Sequence, residues 1–190
     1  MMFLRWILYF IPALLIEGFC FLTNPIACLF VTTSPRSDVV KRLDKQVVTL
    51  PRDDLIWLFK LWQTHDNAAD EGWYGLYDIP FLANKTQQDY DNSWLIRYWC
   101  RVWWLSRNVA YGWHYLLFSR PKETAQTQYS KGIEGKGFWY LLGVYKSSFQ
   151  FQCHIPLGNR YISMNIGWKP HKRMPRLLYA NRIIGLRKYK

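Results

Sequence analysis

The chain has 190 residues and a formal net charge of +12, a length that allows one domain or one domain with a membrane anchor. Half of its residues are hydrophobic and 18% are aromatic, which suits either a protein at a membrane–water boundary or a small fold with an aromatic core. The four cysteines form no C-x-x-C pair, so neither a zinc site nor a disulfide framework is indicated, and a reducing compartment is favoured.

The first predicted element is an apolar segment. From Trp6 to Thr33 it carries a single charged residue, Glu17. A membrane span needs roughly 20 apolar residues, and this run is longer, so the sequence predicts a membrane anchor over residues 1–33. Two forms stay open: a spanning helix, and a re-entrant helical hairpin that turns at Asn24-Pro25, because a residue before proline disfavours the helical conformation.

Positive charge follows the anchor. Arg36, Lys41, Arg42 and Lys45 come after the apolar run, whereas only Arg5 precedes it. Positive residues mark the cytoplasmic side of a membrane. The bulk of the chain is therefore predicted on the cytoplasmic side of an inner membrane.

Short amphipathic helices are predicted next, after a polar linker over residues 34–52. Asp53-Asp54 is a typical helix start, where carboxylates are favoured by the exposed N–H groups. Apolar residues then recur at helical spacing, which predicts a helix over 53–63. A second helix is predicted over 93–106, with a further helical turn at 113–118.

The end of the chain has strand patterns. Three apolar or alternating runs, 138–145, 149–155 and 160–168, predict strands. Tight turns at 146–148 and 157–159 would join them into a three-stranded antiparallel meander. Residues 53–190 are therefore predicted to form one α+β domain that ends in a basic tail.

An acidic loop offers a candidate metal site. Its side chains are of the kind that Ca²⁺ or Mg²⁺ prefers when a loop surrounds the ion. The alternative interpretation is a turn with helix-capping residues, or an acidic patch neutralised by the basic second half of the chain. The candidate ligands are His65, Asp66, Asp70 and Glu71.

The second half of the chain is strongly basic. Residues 92–190 contain 17 Lys or Arg and only two acids. Such a surface attracts anionic lipid headgroups or nucleic acid phosphates. The apolar N-terminus favours lipid, and nucleic acid is the less favoured partner. The candidate phosphate-binding residues are Lys169, Lys172, Arg173, Arg176, Arg182, Arg187 and Lys188.

One motif resembles a known family. The run W-L-S-R-N-V-A-Y-G at residues 104–112, together with Trp62–Asn67 and Gly167-Trp168-Lys169, is similar to an uncharacterised family of small proteins encoded by tailed bacteriophages and prophages. That resemblance implies a viral origin, and it implies no activity. A viral origin combined with the predicted anchor makes the host inner membrane the predicted location. The family commonly has proline at the positions of His65 and Val109. The motif residues are Arg107, Asn108, Tyr111 and Gly112.

The helix ends suggest a pairing between the motif and the acidic loop. Arg107 is predicted to bind Asp66 or Asp70, and Asn108 to cap the loop backbone. A structural role for this pairing is favoured over a catalytic one.

Three functions remain open at this stage. The first is a non-enzymatic phage protein that acts by binding at the host inner membrane, in envelope modification, exclusion of other phages, inhibition of a host defence or genome delivery, with a host or virion protein as partner. The second is a small membrane-bound enzyme that uses a divalent cation at the acidic loop on a lipid or glycan. The third is a nucleic-acid-binding protein. No cofactor is expected beyond that cation.

Overall fold

The computed structural model describes residues 1–34, 40–41, 47–48, 52–63, 75–107, 109–133, 136–170 and 174–188. Two compact units make up the chain. The first combines Met1–Leu14 with His114–Lys190, and the second is Leu15–Trp113. Each unit has its own core, and the predicted α+β class is confirmed.

The N-terminal apolar segment is one helix, α1 (Met2–Ala27). The hairpin form of the anchor is therefore wrong. The helix continues past Pro25, and the Cys28 N–H donates to the Asn24 carbonyl at 2.9 Å. Proline has no N–H to donate, so the helix loses one backbone hydrogen bond at Pro25, two residues before it ends. After Ala27 the chain makes a turn and continues as strand β1 (Val31–Ser34).

In the second unit, the described residues of the predicted linker belong to short strands. Strand β4 (Arg52–Leu55) pairs antiparallel with β1, and β2 (Val40–Lys41) pairs with β3 (Val47–Val48). A 3₁₀ helix over Trp57–Trp62 replaces the predicted amphipathic helix at 53–63. The helix prediction failed because Asp53 forms a buried pair from a strand instead of capping a helix.

The remaining helices of this unit pack into two apolar clusters. They are α2 (Gly75–Asp78), a 3₁₀ turn (Pro80–Leu82), α3 (Gln87–Asn92), α4 (Trp94–Arg107) and the start of α5 (Tyr111–Phe118). The predicted helix at 93–106 and the further turn at 113–118 are confirmed as α4 and α5. A capping box between Thr86 and Asp89 begins α3. One cluster lies around Tyr90 and Cys100, and the other around Leu105 and Cys28.

The first unit is built on a six-stranded antiparallel sheet. Its strands are β5 (Arg120–Pro121), β6 (Thr127–Ile133), β7 (Lys136–Val144), β8 (Phe149–Leu157), β9 (Arg160–Lys169) and β10 (Arg176–Lys188). Their order across the sheet is β5-β10-β9-β8-β7-β6. Strands β7, β8 and β9 match the predicted three-stranded meander, and the other three were not predicted. One of these, β10, lies within the predicted basic tail.

Aromatic rings fill the core of the first unit. Trp168 is fully buried, and its indole donates to the Phe118 carbonyl at 2.7 Å. The rings of Phe149 and Tyr179 lie 6.0 and 5.7 Å from that of Trp168. The first half of α1 packs onto this cluster, since the Trp6 indole donates to the Ala180 carbonyl at 3.0 Å.

Candidate functional site

The first half of α1 presents two kinds of surface within the first unit. Trp6 and Ala13, seven residues apart, are buried. The hydroxyl of Tyr179 donates to the Trp6 carbonyl at 3.1 Å, and the Arg120 guanidinium donates to the Tyr9 hydroxyl at 3.2 Å. Soluble monomers rarely expose large contiguous apolar patches. Arg5, Tyr9 and Phe10 in this half are partly buried, whereas six large apolar side chains are exposed to between 42% and 64%. These side chains are Phe3, Leu4, Ile7, Leu8, Ile11 and Leu14.

The second half of α1 repeats the pattern within the second unit. Cys20, Asn24 and Ala27 are fully buried, and the Trp62 indole donates to the Thr23 hydroxyl at 2.8 Å. The exposed side chains are again large and apolar: Leu15, Phe19, Phe21, Leu22 and Ile26, followed by Leu29 and Phe30 after the helix ends.

By length and composition, α1 is the one helix in the described part of the chain that could cross a membrane. An N-terminal signal sequence and the core helix of a soluble protein meet the same criteria, and such a core helix is mostly buried. In α1 only 17% of the most apolar 18-residue window is buried. The exposed faces of α1 are therefore the candidate functional surface, and we call them the apolar surface of α1.

A buried ion pair lies behind the second half of α1, within the second unit. The Arg101 guanidinium binds the Asp53 carboxylate at 2.5 Å, and both side chains are at most 1% exposed. The Thr33 hydroxyl donates to the other carboxylate oxygen at 2.6 Å, and Arg97 lies 3.9 Å from the carboxylate. Arg101 also donates to the Cys28 carbonyl at 3.5 Å. This pair joins β4, β1 and α4, so its role is structural.

The sequence offered one signal for this pair. Arg97 and Arg101 lie four residues apart on a helix that is otherwise rich in aromatic residues, so they share one face. Nothing local in the sequence indicated that their partner is Asp53, because the contact joins segments 48 residues apart.

The predicted metal ligands His65, Asp66, Asp70 and Glu71 lie outside the described residues, so the metal site stays a prediction. Within the described ranges, no group of three or more His, Cys, Asp or Glu side chains could hold a metal ion. Four cysteines are buried and free. Burial raises the pKa of the Cys100 thiol to about 12, so this thiol stays protonated and unreactive at neutral pH.

The motif residues surround the turn between α4 and α5. Arg107 binds Asp78 at 3.2 Å, with both side chains about half exposed, and its guanidinium lies 4.5 Å from the Trp103 ring centroid. An exposed pair of this kind contributes at most about 1 kcal/mol. The predicted pairing of Arg107 with the acidic loop stays a prediction, since that loop and Asn108 lie outside the described residues.

Gly112 is the motif residue at which the packing of α5 allows no side chain. A Cβ at this position would lie 2.6 Å from the Leu61 carbonyl oxygen and 2.7 Å from the Leu61 Cα. The α5 backbone therefore approaches the 3₁₀ helix as closely as it does only because residue 112 has no side chain. Tyr111 begins α5, directly before this close approach.

We expect Gly112→Ala to lower the free energy of unfolding by about 1–3 kcal/mol, the range for overpacking against a backbone that cannot move freely. Urea denaturation of the full-length protein in detergent micelles would measure this loss. Gly18→Ala is the matched control, because a Cβ at Gly18 meets no atom within 4 Å. Equal stability of the two variants would contradict the packing explanation.

Those of the predicted phosphate-binding residues that the structure describes lie on strands of the first unit. Lys169 ends β9, and Arg182 is exposed on β10. Arg176 is also exposed, and its guanidinium donates to the Ser119 carbonyl at 3.1 Å. Lys172 and Arg173 lie outside the described residues. The backbone of Arg187 and Lys188 belongs to β10, and their side chains are not among those that the structure describes.

The fold and its surface define a small basic α+β protein with an exposed apolar N-terminal helix. The chain belongs to a family of unknown function (DUF7338), whose family model matches residues 1–181. The predicted membership of an uncharacterised family is thus confirmed over nearly the whole chain. No curated protein and no solved structure matches the chain. The phage origin stays a prediction.

Proposed function

We propose that this protein attaches to a membrane through the apolar surface of α1 and acts there as a non-enzymatic binding protein. The exposure of large apolar side chains along both halves of α1 carries this proposal. Each leucine or phenylalanine that leaves water for the acyl region contributes about 1.5–3 kcal/mol. A surface of this size therefore favours a bilayer strongly over water.

Helix α1 lies along the membrane surface in this proposal. The Arg120 guanidinium binds the Tyr9 hydroxyl within the first unit, and Tyr9 is seven residues, about 10 Å, from the start of α1. A perpendicular helix would place this guanidinium inside a hydrocarbon core about 30 Å thick, where a charged side chain is costly. An in-plane helix keeps Arg120 at the headgroup level, with the exposed side chains in the acyl region.

Charge supports the same placement. Exposed cations of the first unit, such as Arg176 and Arg182, would each add about 1 kcal/mol of attraction to an anionic surface when they lie close to it. The predicted phage origin and the charge pattern around the apolar segment support a location at the host inner membrane. The enzyme and nucleic-acid hypotheses stay predictions.

Removing apolar side chains from α1 should release the protein from membranes. In the double variant Leu8→Gln with Leu15→Gln, the side chains replaced are 64% and 70% exposed, so the fold should be retained. We expect the lost transfer energy to be about 3 kcal/mol or more, roughly a hundredfold in vesicle partitioning. Flotation of the full-length protein with phosphatidylethanolamine–phosphatidylglycerol vesicles measures this change.

The matched control is Phe81→Gln with Leu95→Gln, which removes two side chains of 64% and 57% exposure outside α1. This variant should float like the wild type. Protease accessibility of tags at both ends is the second readout, and an in-plane helix predicts that both tags are cleaved from the same side. A wild-type protein that does not float, or a control that is released as strongly as the α1 variant, would refute the proposal.

A further inference from the structure

One face of the sheet in the first unit contains an apolar groove that the proposed function does not use. The groove has a volume of about 350 Å³, and its accessible lining atoms are all apolar. Tyr140, Cys153 and Met164 form a row across its floor, since they are direct partners on β7, β8 and β9. The lining residues are Phe138, Tyr140, Phe151, Cys153, Ile155 and Met164.

The groove continues the face on which the first half of α1 packs. Alternate residues of a strand point to the same side, so Phe149 of β8 shares this face with Phe151. The rings of Phe149 and Phe3 lie 5.7 Å apart, and Phe3 is 54% exposed. The groove therefore begins beside the N-terminal end of the apolar surface of α1, where an embedded helix would be surrounded by acyl chains.

A cation lies at the rim of the groove. Lys131 on β6 is the direct partner of Tyr140 on β7, so the two side chains share a face with their Cβ atoms about 5 Å apart. Lys131 is exposed. An apolar groove with an ammonium group at its rim matches a molecule that has a long hydrocarbon chain and a negatively charged head.

We propose that this groove holds one acyl chain of an anionic membrane lipid, with the headgroup phosphate at Lys131. The inference rests on the proposed membrane attachment, which brings lipid to the groove. The volume falls within the range of ligand-binding pockets, roughly 300–1,000 Å³. A protein partner fits less well, because protein interfaces combine an apolar centre with several hydrogen bonds, and the groove lining offers no accessible polar atom.

The test uses the full-length protein in vesicles that contain phosphatidylglycerol with a diazirine group on one acyl chain. After irradiation, mass spectrometry of peptides should locate adducts on β7, β8 and β9. The variant Ile155→Glu places a charge in the groove at a side chain that is already 42% exposed, and it should lower this labelling at least fivefold. Leu157→Glu is the matched control on the same strand, 57% exposed and outside the lining, and it should label like the wild type.

Headgroup recognition is measured by the same labelling with diazirine phosphatidylcholine. Wild-type protein should prefer the phosphatidylglycerol probe, and Lys131→Gln should reduce that preference at least threefold. Flotation of each variant measures membrane attachment separately, so loss of labelling with unchanged flotation concerns the groove alone. Adducts restricted to α1 in a protein that floats, equal labelling of Ile155→Glu and Leu157→Glu, or a dimer that forms through this face would overturn the assignment.

Discussion

Replacing Arg101 with methionine is expected to lower the free energy of unfolding by about 3–5 kcal/mol, the range observed when one partner of a buried ion pair is removed. The carboxylate of Asp53 would then be left in a site where its side chain is 1% exposed. The Thr33 hydroxyl, 2.6 Å from the Asp53 carboxylate, would remain as a close hydrogen-bond donor. A single hydroxyl does not replace the charge-assisted hydrogen bond of a guanidinium.

Arg97 provides the matched comparison for this prediction. It lies one helical turn before Arg101 on α4 and faces the same carboxylate, but at 3.9 Å and with 18% of its side chain exposed. Because the interaction is longer and better solvated, we expect Arg97→Gln to cost about 1 kcal/mol or less. Urea denaturation of the full-length protein in detergent micelles, followed by tryptophan fluorescence, would compare the two variants.

A double variant distinguishes the loss of the ion pair from the cost of leaving one buried charge unpaired. Replacing a whole buried pair with apolar residues of similar volume is often close to neutral. We therefore expect Asp53→Leu with Arg101→Met to recover at least half of the stability lost in Arg101→Met alone. If the double variant is as unstable as the sum of the two single variants, the buried pair has no special energetic coupling, and the loss comes from packing.

The Asp53 pair also shows where prediction from the sequence failed. Two adjacent carboxylates before an apolar run are a local signal for a helix start, and local signals predicted a helix at 53–63. Asp53 pairs with Thr33 of β1, 20 residues away along the chain, and with Arg101 of α4, 48 residues away. Partners at such distances leave no periodicity in the local sequence, so the tertiary contacts overrode the local preference.

The strands of the sheet also show how far local sequence patterns can predict structure. Strands β8 and β9 were predicted because alternation is visible in β8 and Gly158, with φ 57°, permits the tight turn between them. Strand β6 was missed because all seven of its residues are exposed, so it has no apolar face. Strand β10 was missed for the opposite reason. Its consecutive residues 177–180 are all buried, which removes alternation, and its many cations favoured a tail.

The candidate surface was predicted better than the fold around it. The near absence of charge from Trp6 to Thr33 identified the apolar segment directly, because the hydropathy of a segment can be seen from its own residues. The sequence did not predict which side chains would be buried by the protein. That division depends on ring contacts such as Trp6 with Phe149, whose centroids lie 6.4 Å apart, between segments that are distant in the sequence.

Acidification is expected to destabilise the first unit through His114. This residue lies on α5, is 8% exposed, and has the rings of Phe118 and Tyr179 at 5.7 and 5.8 Å. Burial lowers the pKa of His114 to about 4, and a hydrogen bond with the Ala13 backbone only partly opposes this change. The neutral imidazole is therefore the form that the folded protein holds.

The sign of the pH dependence follows from these two protonation states. An unfolded chain binds a proton at His114 near its ordinary pKa of 6.5, whereas the folded chain does not until about pH 4. The contribution of His114 to the free energy of unfolding is therefore fully present above pH 6.5. It falls as the pH decreases from 6.5 to about 4, and it does not change at lower pH. The total loss is about 3 kcal/mol.

His114→Gln isolates this contribution because glutamine is polar and does not titrate. Urea denaturation in detergent micelles at pH 7 and at pH 4.5 should show that the wild type loses about 2–3 kcal/mol more than the variant over this interval. The carboxylates cancel in the comparison, since both proteins carry the same acids. The pKa of Glu123 is lowered by hydrogen bonds from Ser147, so its effect falls mainly below this interval. Parallel losses in the two proteins would show that His114 is protonated without cost in the folded state.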